Sequence, residues 1–183
     1  TKIKSLIRGF PILYAYYDFL SEQTGLEPFD KKIINHYWLA EDLIELDLEK
    51  AKDFVLNVLG SRGLPKTRAN EITKKLSGNT RLDHFFHVLQ VKFVTDKVEK
   101  SFENFSRCVV LPARVTKIKR NALLVNSFEL DKTGVLEKEK IVLNPFGMKL
   151  KKNDFVSLHW ENAIEKISKN QANKLEKRLL ELL

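Results

Sequence analysis

Apolar residues keep a helical period through roughly the first hundred positions and alternate strictly after Arg107. In "FPILYAYYDFLSEQTG", Pro11 suits a first helical turn and Gly25 a C-terminal cap, and apolar side chains lie on both sides of the predicted helix. Pro28 opens a second helix through "DKKIINHYWLAEDLIE", where Ile33, Ile34, Tyr37, Trp38 and Leu39 keep helical spacing. "LEKAKDFVLNVLG" places Phe54, Val55, Val58 and Leu59 on one face and stops at Gly60. "SRGLPKTRANEITKKLSG" predicts a turn, a helix from about Pro65 and a stop at Gly78. The stretch from Leu82 to Val94 reads as helix, with strand as the alternative.

Beyond Arg107, "CVVLPARVTKIK", "ALLVNSFELD", "KIVLNPF" and "DFVSLHW" are β-branched or aromatic runs. The turn-forming segments "KRN", "KTG" and "GMKLKKN" separate them. They predict a small antiparallel sheet or barrel. The closing "SKNQANKLEKRLLELL" predicts a helix with a capping box between Ser168 and Gln171. Its apolar face is Ala172, Leu175, Leu179, Leu180 and Leu183. The fold class is α+β, with an all-helical domain over 1–106 and a small barrel with a terminal helix over 107–183.

A hydrophobic content of 43% with 12 Phe is enough to close a core. No run approaches the length of a membrane span, and "TKIKSLIRGF" lacks the apolar stretch of a secretory signal, so the expectation is a cytoplasmic protein without membrane partners. One Cys excludes an internal disulfide. The net charge of +8 is uneven: residues 107–183 hold 16 Lys and Arg against 9 Asp and Glu, while residues 1–106 hold 16 against 15. A basic excess of this kind attracts phosphate, a membrane surface or an acidic protein, or is simply solvated.

Alternation in the first strand puts Val109, Leu111, Ala113 and Val115 on the core side and Cys108, Val110, Arg114 and Thr116 opposite. Cys108 is then expected away from the core, with Arg107 and Arg114 near enough to favour its thiolate. Pro112 has no amide hydrogen for a ladder, which predicts an edge or a bulge.

"CVVLPARV" resembles the signature of the HypC/HupF family of nickel-iron hydrogenase maturation chaperones: Cys, aliphatic, small, aliphatic, Pro, small, basic, aliphatic. Only Val110 departs from it. The segment from "LKKNDFVSLHWENAIEKISKNQ" to the end is similar to the family's closing segment, with Asp154, Val156, His159, Ala163 and Ile164 in register. The family's Cys is the chain terminus after Met removal, whereas Cys108 is internal. Asn153 and Glu161 stand where the family has Gly. The resemblance implies an OB-like barrel with a helix. It also implies a transient iron with cyanide and carbonyl ligands as cargo, a HypD-type partner and a hydrogenase large subunit. By resemblance Cys108 and His159 are the metal or thiol site, and Cys108, Pro112, Arg114, Asp154 and His159 form the partner surface.

"LDHFFHVLQV" sets His84 and His87 three apart, a spacing that serves either a metal or docking role or a structural pair. A metal would need His36, Asp83 or Cys108 to converge on them. Glu41, Asp42, Glu45, Asp47 and Glu49 fit solvated helix ends and caps, and no motif identifies an enzyme. "INHYWL" and "HFFHV" faintly resemble segments of an uncharacterised prokaryotic family. Two alternatives to the chaperone reading stand. One is a single-stranded nucleic-acid-binding OB-like module using Lys117, Lys119, Arg120, Lys149, Lys151 and Lys152 with Phe128, Phe146 and Phe155. The other is a non-catalytic protein-interaction domain.

Overall fold

The computed structural model describes residues 11–41, 44–96 and 98–181, which fall into two compact units. The helical unit comprises α1 (Pro11–Thr24), α2 (Lys31–Leu39), α3 (Leu48–Ser61), α4 (Lys66–Thr73) and the short α5 (His84–Phe86). A π-helical turn over His87–Lys92 continues α5. Gly25 closes α1 in the left-handed conformation, its N–H donating to Ser21 O. α2 stops at Leu39, short of the predicted "AEDLIE" extension, because Ala40 turns left-handed with φ of 51°; Asp42 and Leu43 lie outside the described residues. Asp47 caps α3, accepting from Lys50 N, so one of the acids of "EDLIELDLE" has the capping role expected of it. α4 ends at Thr73, ahead of the predicted stop at Gly78. Tyr16, Tyr17, Leu20, Ile33, Tyr37, Trp38, Val55, Leu59 and Phe85 are buried in this unit.

The second unit comprises residues 39–41 and 100–181. It opens with α6 (Phe102–Cys108) and continues through β1 (Leu111–Ile118), β2 (Ala122–Asp131), β3 (Gly134–Leu143), β4 (Phe155–His159), β5 (Asn162–Ile167) and α7 (Lys169–Leu180). The strands close a barrel in the order β1-β2-β3-β5-β4, with β1 antiparallel to both β2 and β4 and β3 meeting β5 in parallel. That is the connectivity of an OB-type barrel. Alternation holds where it was clearest: Leu111, Ala113 and Val115 on β1 and Leu123, Val125 and Ser127 on β2 are all buried.

β3 begins six residues before the predicted "KIVLNPF" run, because the charged stretch "VLEKEK" pairs with β2 throughout. Pro112 is not at an edge, since β1 has a neighbour on each side. It precedes the first β2 partner, Ala113↔Ser127, so its missing N–H interrupts no ladder there. The capping box forms as expected, with Ser168 Oγ accepting from Gln171 N and Gln171 Oε1 accepting from Ser168 N. Ala172, Leu175 and Leu179 are buried, whereas Leu180 is 49% exposed; Leu183 lies outside the described residues.

Candidate functional site

The expected thiol face does not form. Ser101 Oγ accepts from Asn104 N and Val109 N donates to Phe105 O, so residues 102–108 wind into α6 before the strand begins. Helical rather than alternating geometry then turns Phe105, Ser106 and Cys108 inward, and Cys108 is fully buried. The two arginines expected to favour its thiolate pair elsewhere. Arg107 reaches Glu103 at 3.0 Å and Glu161 at 3.8 Å, while Arg114 reaches Glu137 at 3.6 Å.

His159 is half-buried, and its Nε2 donates to the carbonyl oxygen of Cys108 at 3.2 Å. Because a carbonyl only accepts, that ring nitrogen carries a hydrogen, which leaves Nδ1 as the basic nitrogen of a neutral ring. The two residues singled out by the resemblance are thus joined through the backbone. Iron ligation by a HypC-like chaperone needs an accessible sulfur, and an internal residue has no terminal amine to add. Among the described residues no group of three or more His, Cys, Asp and Glu gathers in a metal-holding arrangement. The enclosed Cys108 sulfur does not fit that iron.

The surrounding residues hold the β4 and β5 ends in place. Asp154 accepts from Lys151 N at 2.7 Å and pairs with Lys166 Nζ at 2.8 Å. The lysine, and then that backbone N–H, hold its carboxyl below the usual range. Asn153 takes the left-handed conformation (φ 69°) open to an Asn at a Gly position. At the β4–β5 turn Trp160 and Glu161 both have positive φ, 48° and 62°. Hairpin turns with two such residues normally use Asn and Gly. The turn is held by Trp160 N donating to Arg107 O and Leu143 N donating to Glu161 O, and it leaves Trp160 47% exposed.

Beside this turn a cleft of about 350 Å³ opens between α6 and the β2–β3 hairpin, lined by Phe102, Arg107, Glu129, Lys138, Lys140 and Glu161 among others. Glu129, 9% exposed, pairs with Lys140 and with Lys138 at 3.6 Å. Sequence reasoning missed this carboxylate. The signal was available, since Glu129 shares the inward parity of Leu123, Val125 and Ser127 in "ALLVNSFELD".

His84 and His87 do converge, on a tyrosine. The Tyr37 hydroxyl lies 2.9 Å from His87 Nδ1 and 3.3 Å from His84 Nδ1, with all three side chains buried. Its single proton serves one ring, so the other ring must donate an N–H to the hydroxyl oxygen. Asp83 caps α5 through Phe86 N, and His36 Nδ1 accepts from Ile44 N. Tyr16 stacks on His87, with ring centroids 5.0 Å apart. Burial, and secondarily the Asp83 charge, push its hydroxyl far above the ordinary tyrosine value.

Of the residues weighed for nucleic acid, the six cations are exposed while Phe128, Phe146 and Phe155 are half-buried. The outer face of β3 carries Glu137 and Glu139. No described helix is long and apolar enough to cross a membrane. No curated protein and no solved structure matches the chain. A family model matches residues 1–183, and the chain therefore belongs to that family, the family of unknown function DUF6390.

Proposed function

We propose that the chain is a non-catalytic protein-interaction module, a regulatory or scaffolding relative of the hydrogenase maturation chaperones that keeps the barrel and its docking role without using Cys108 as an iron ligand. Trp160 carries this reading. Tryptophan is over-represented among the residues that dominate binding energy, and here it stands exposed at the tip of a turn. A left-handed non-Gly residue costs about 1–2 kcal/mol, so two in one turn amount to a sizeable retained strain. The enclosed Cys108 and the bond from His159 to its carbonyl give the signature residues a fold-maintaining part beside that turn.

Coexpression with a HypD-type protein tests the proposal. The expected result is a complex that Trp160→Ala weakens at least tenfold and Cys108→Ser leaves intact, without cyanide or carbonyl infrared bands. A complex carrying those bands and losing them in Cys108→Ser would restore the thiol-and-iron reading; no complex would reject this partner class. A second reading, single-stranded nucleic-acid binding, is favoured by the six exposed cations, none of which is ion-paired among the described residues. The acidic outer face of β3 weighs against it. Salt-dependent binding of oligonucleotides at low salt would support it, and no binding there would dismiss it.

A further inference from the structure

The barrel seam between β3 and β5 is held by one register pair, Leu143↔Asn162. Leu143 N points across that seam to Glu161 O, and Asn144 N points the opposite way, to Asn121 O. Backbone groups alternate along a strand, so the N–H and C=O of Ile141, Glu139 and Glu137 face the same open side as those of Leu143. Among the described residues none of these three has a backbone partner there. The cleft is lined on this stretch by Lys138, Glu139 and Lys140, with Arg107 of α6 and Glu161 of the turn across it. Its volume of about 350 Å³ suits a few residues of extended chain.

Resting on the interaction reading above, we propose that the open edge of β3 receives an extended segment of a partner protein as an added strand in this cleft. The chemistry of that segment follows from the edge it would pair with. Main-chain bonds to an exposed edge supply affinity, and alternate side chains supply specificity. On the outer face Glu137 and Glu139 are acidic and Ile141 is 57% exposed. Glu139 has no ion pair among the described residues, whereas Glu137 already pairs with Arg114. The charged residues lining the cleft are Arg107, Lys138 and Lys140 against Glu103, Glu129, Asp131, Glu139 and Glu161, three positive against five negative. The matching segment places basic side chains opposite Glu137 and Glu139 and an aliphatic one opposite Ile141, a basic-x-basic-x-aliphatic pattern in either chain direction.

The test uses the full chain and synthetic eight-residue peptides with the core Lys-Thr-Lys-Thr-Val or its reverse. Controls replace Lys by Glu, or the central Thr by Pro. Fluorescence anisotropy reads affinity, and amide hydrogen exchange by NMR reads the edge. One Lys peptide is expected to bind at least tenfold tighter than its Glu and Pro controls and to slow exchange of the Glu137, Glu139 and Ile141 amides at least tenfold. Glu139→Pro removes an outward N–H without touching the β2 ladder and is expected to lose that binding. Glu139→Lys, which keeps the strand residue and leaves Glu137 opposite one added charge, is expected to abolish the preference for the Lys peptide over the Glu peptide. Absence of binding by either Lys peptide, equal binding of Lys and Glu peptides, or binding without protection of those amides would overturn the inference. So would peptide-free protection that grows with protein concentration, which would assign the edge to a second copy of the chain. A HypD-type complex that survives Glu139→Pro with the edge amides unprotected would reject the added strand and leave the interaction reading standing.

Discussion

Replacing Tyr37 by Phe removes one oxygen from the helical unit and the hydrogen bonds it makes to two histidines. The hydroxyl lies 2.9 Å from His87 Nδ1 and 3.3 Å from His84 Nδ1, and the site is buried. A hydrogen bond of this kind contributes about 0.5–1.5 kcal/mol net. The shorter bond should carry the high end of that range and the longer one its low end, for a combined loss of about 2 kcal/mol. Tyr16→Phe is the matched control, because the Tyr16 hydroxyl is buried without a hydrogen-bond partner among the described residues. Deleting an unpaired buried hydroxyl is expected to leave stability unchanged or raise it by about 1 kcal/mol. Both variants keep the ring contacts, including the Tyr16–Tyr37 pair at 5.3 Å. Urea unfolding followed by tyrosine-region circular dichroism measures the difference at equal slope. A Tyr37→Phe loss under 0.5 kcal/mol, or a Tyr16→Phe loss above 1 kcal/mol, would refute the assignment of the polar bonds.

Three further outcomes follow from the barrel unit. Glu161→Gly relieves the left-handed residue at φ 62° and is expected to stabilise by about 1 kcal/mol, the Arg107 contact at 3.8 Å being exposed and weak; no gain in urea midpoint would deny the strain. Ser168→Ala opens the capping box of α7 and is expected to cost about 1 kcal/mol, read as a lowered melting temperature. The Asp154 carboxyl is held below its unfolded value, so its stabilisation is present above pH of about 4 and is lost as pH falls through the folded value. Asp154→Asn should therefore be less stable than wild type at pH 7 and equal to it near pH 2; a constant difference across that range would contradict the pairing with Lys166.

The parts of the fold that depend on local pattern were legible. Alternation identified β1, β2, the second half of β3 and β4 but not β5 (Asn162–Ile167), Ser168 with Gln171 identified the start of α7, and Gly25 marked the end of α1. Competition between local signals hid Cys108. "SFENFSRC" contains its own Ser cap, and the helix it starts takes the cysteine before the strand can alternate. Charge hid the first half of β3, because "EKEK" alternates in sign and not in hydrophobicity. Trp160 and Glu161 gave no turn signal, since neither is a residue that favours positive φ. The meeting of Tyr37 with His84 and His87 spans 47 and 50 residues of sequence and depends on the packing of α1, α2 and the π-helical turn, which no local spacing encodes.

The structural role given to Cys108 is what separates the proposed function from the iron-ligating reading. Reaction of the native full chain with a thiol reagent such as dithionitrobenzoate, set beside the same protein in denaturant, measures it directly. A buried thiol at the end of α6 should react at least a hundredfold more slowly in the native protein and with one equivalent on unfolding. Rapid native reaction at the rate of a free thiol would contradict the enclosed cysteine and return the iron-ligating reading to first place.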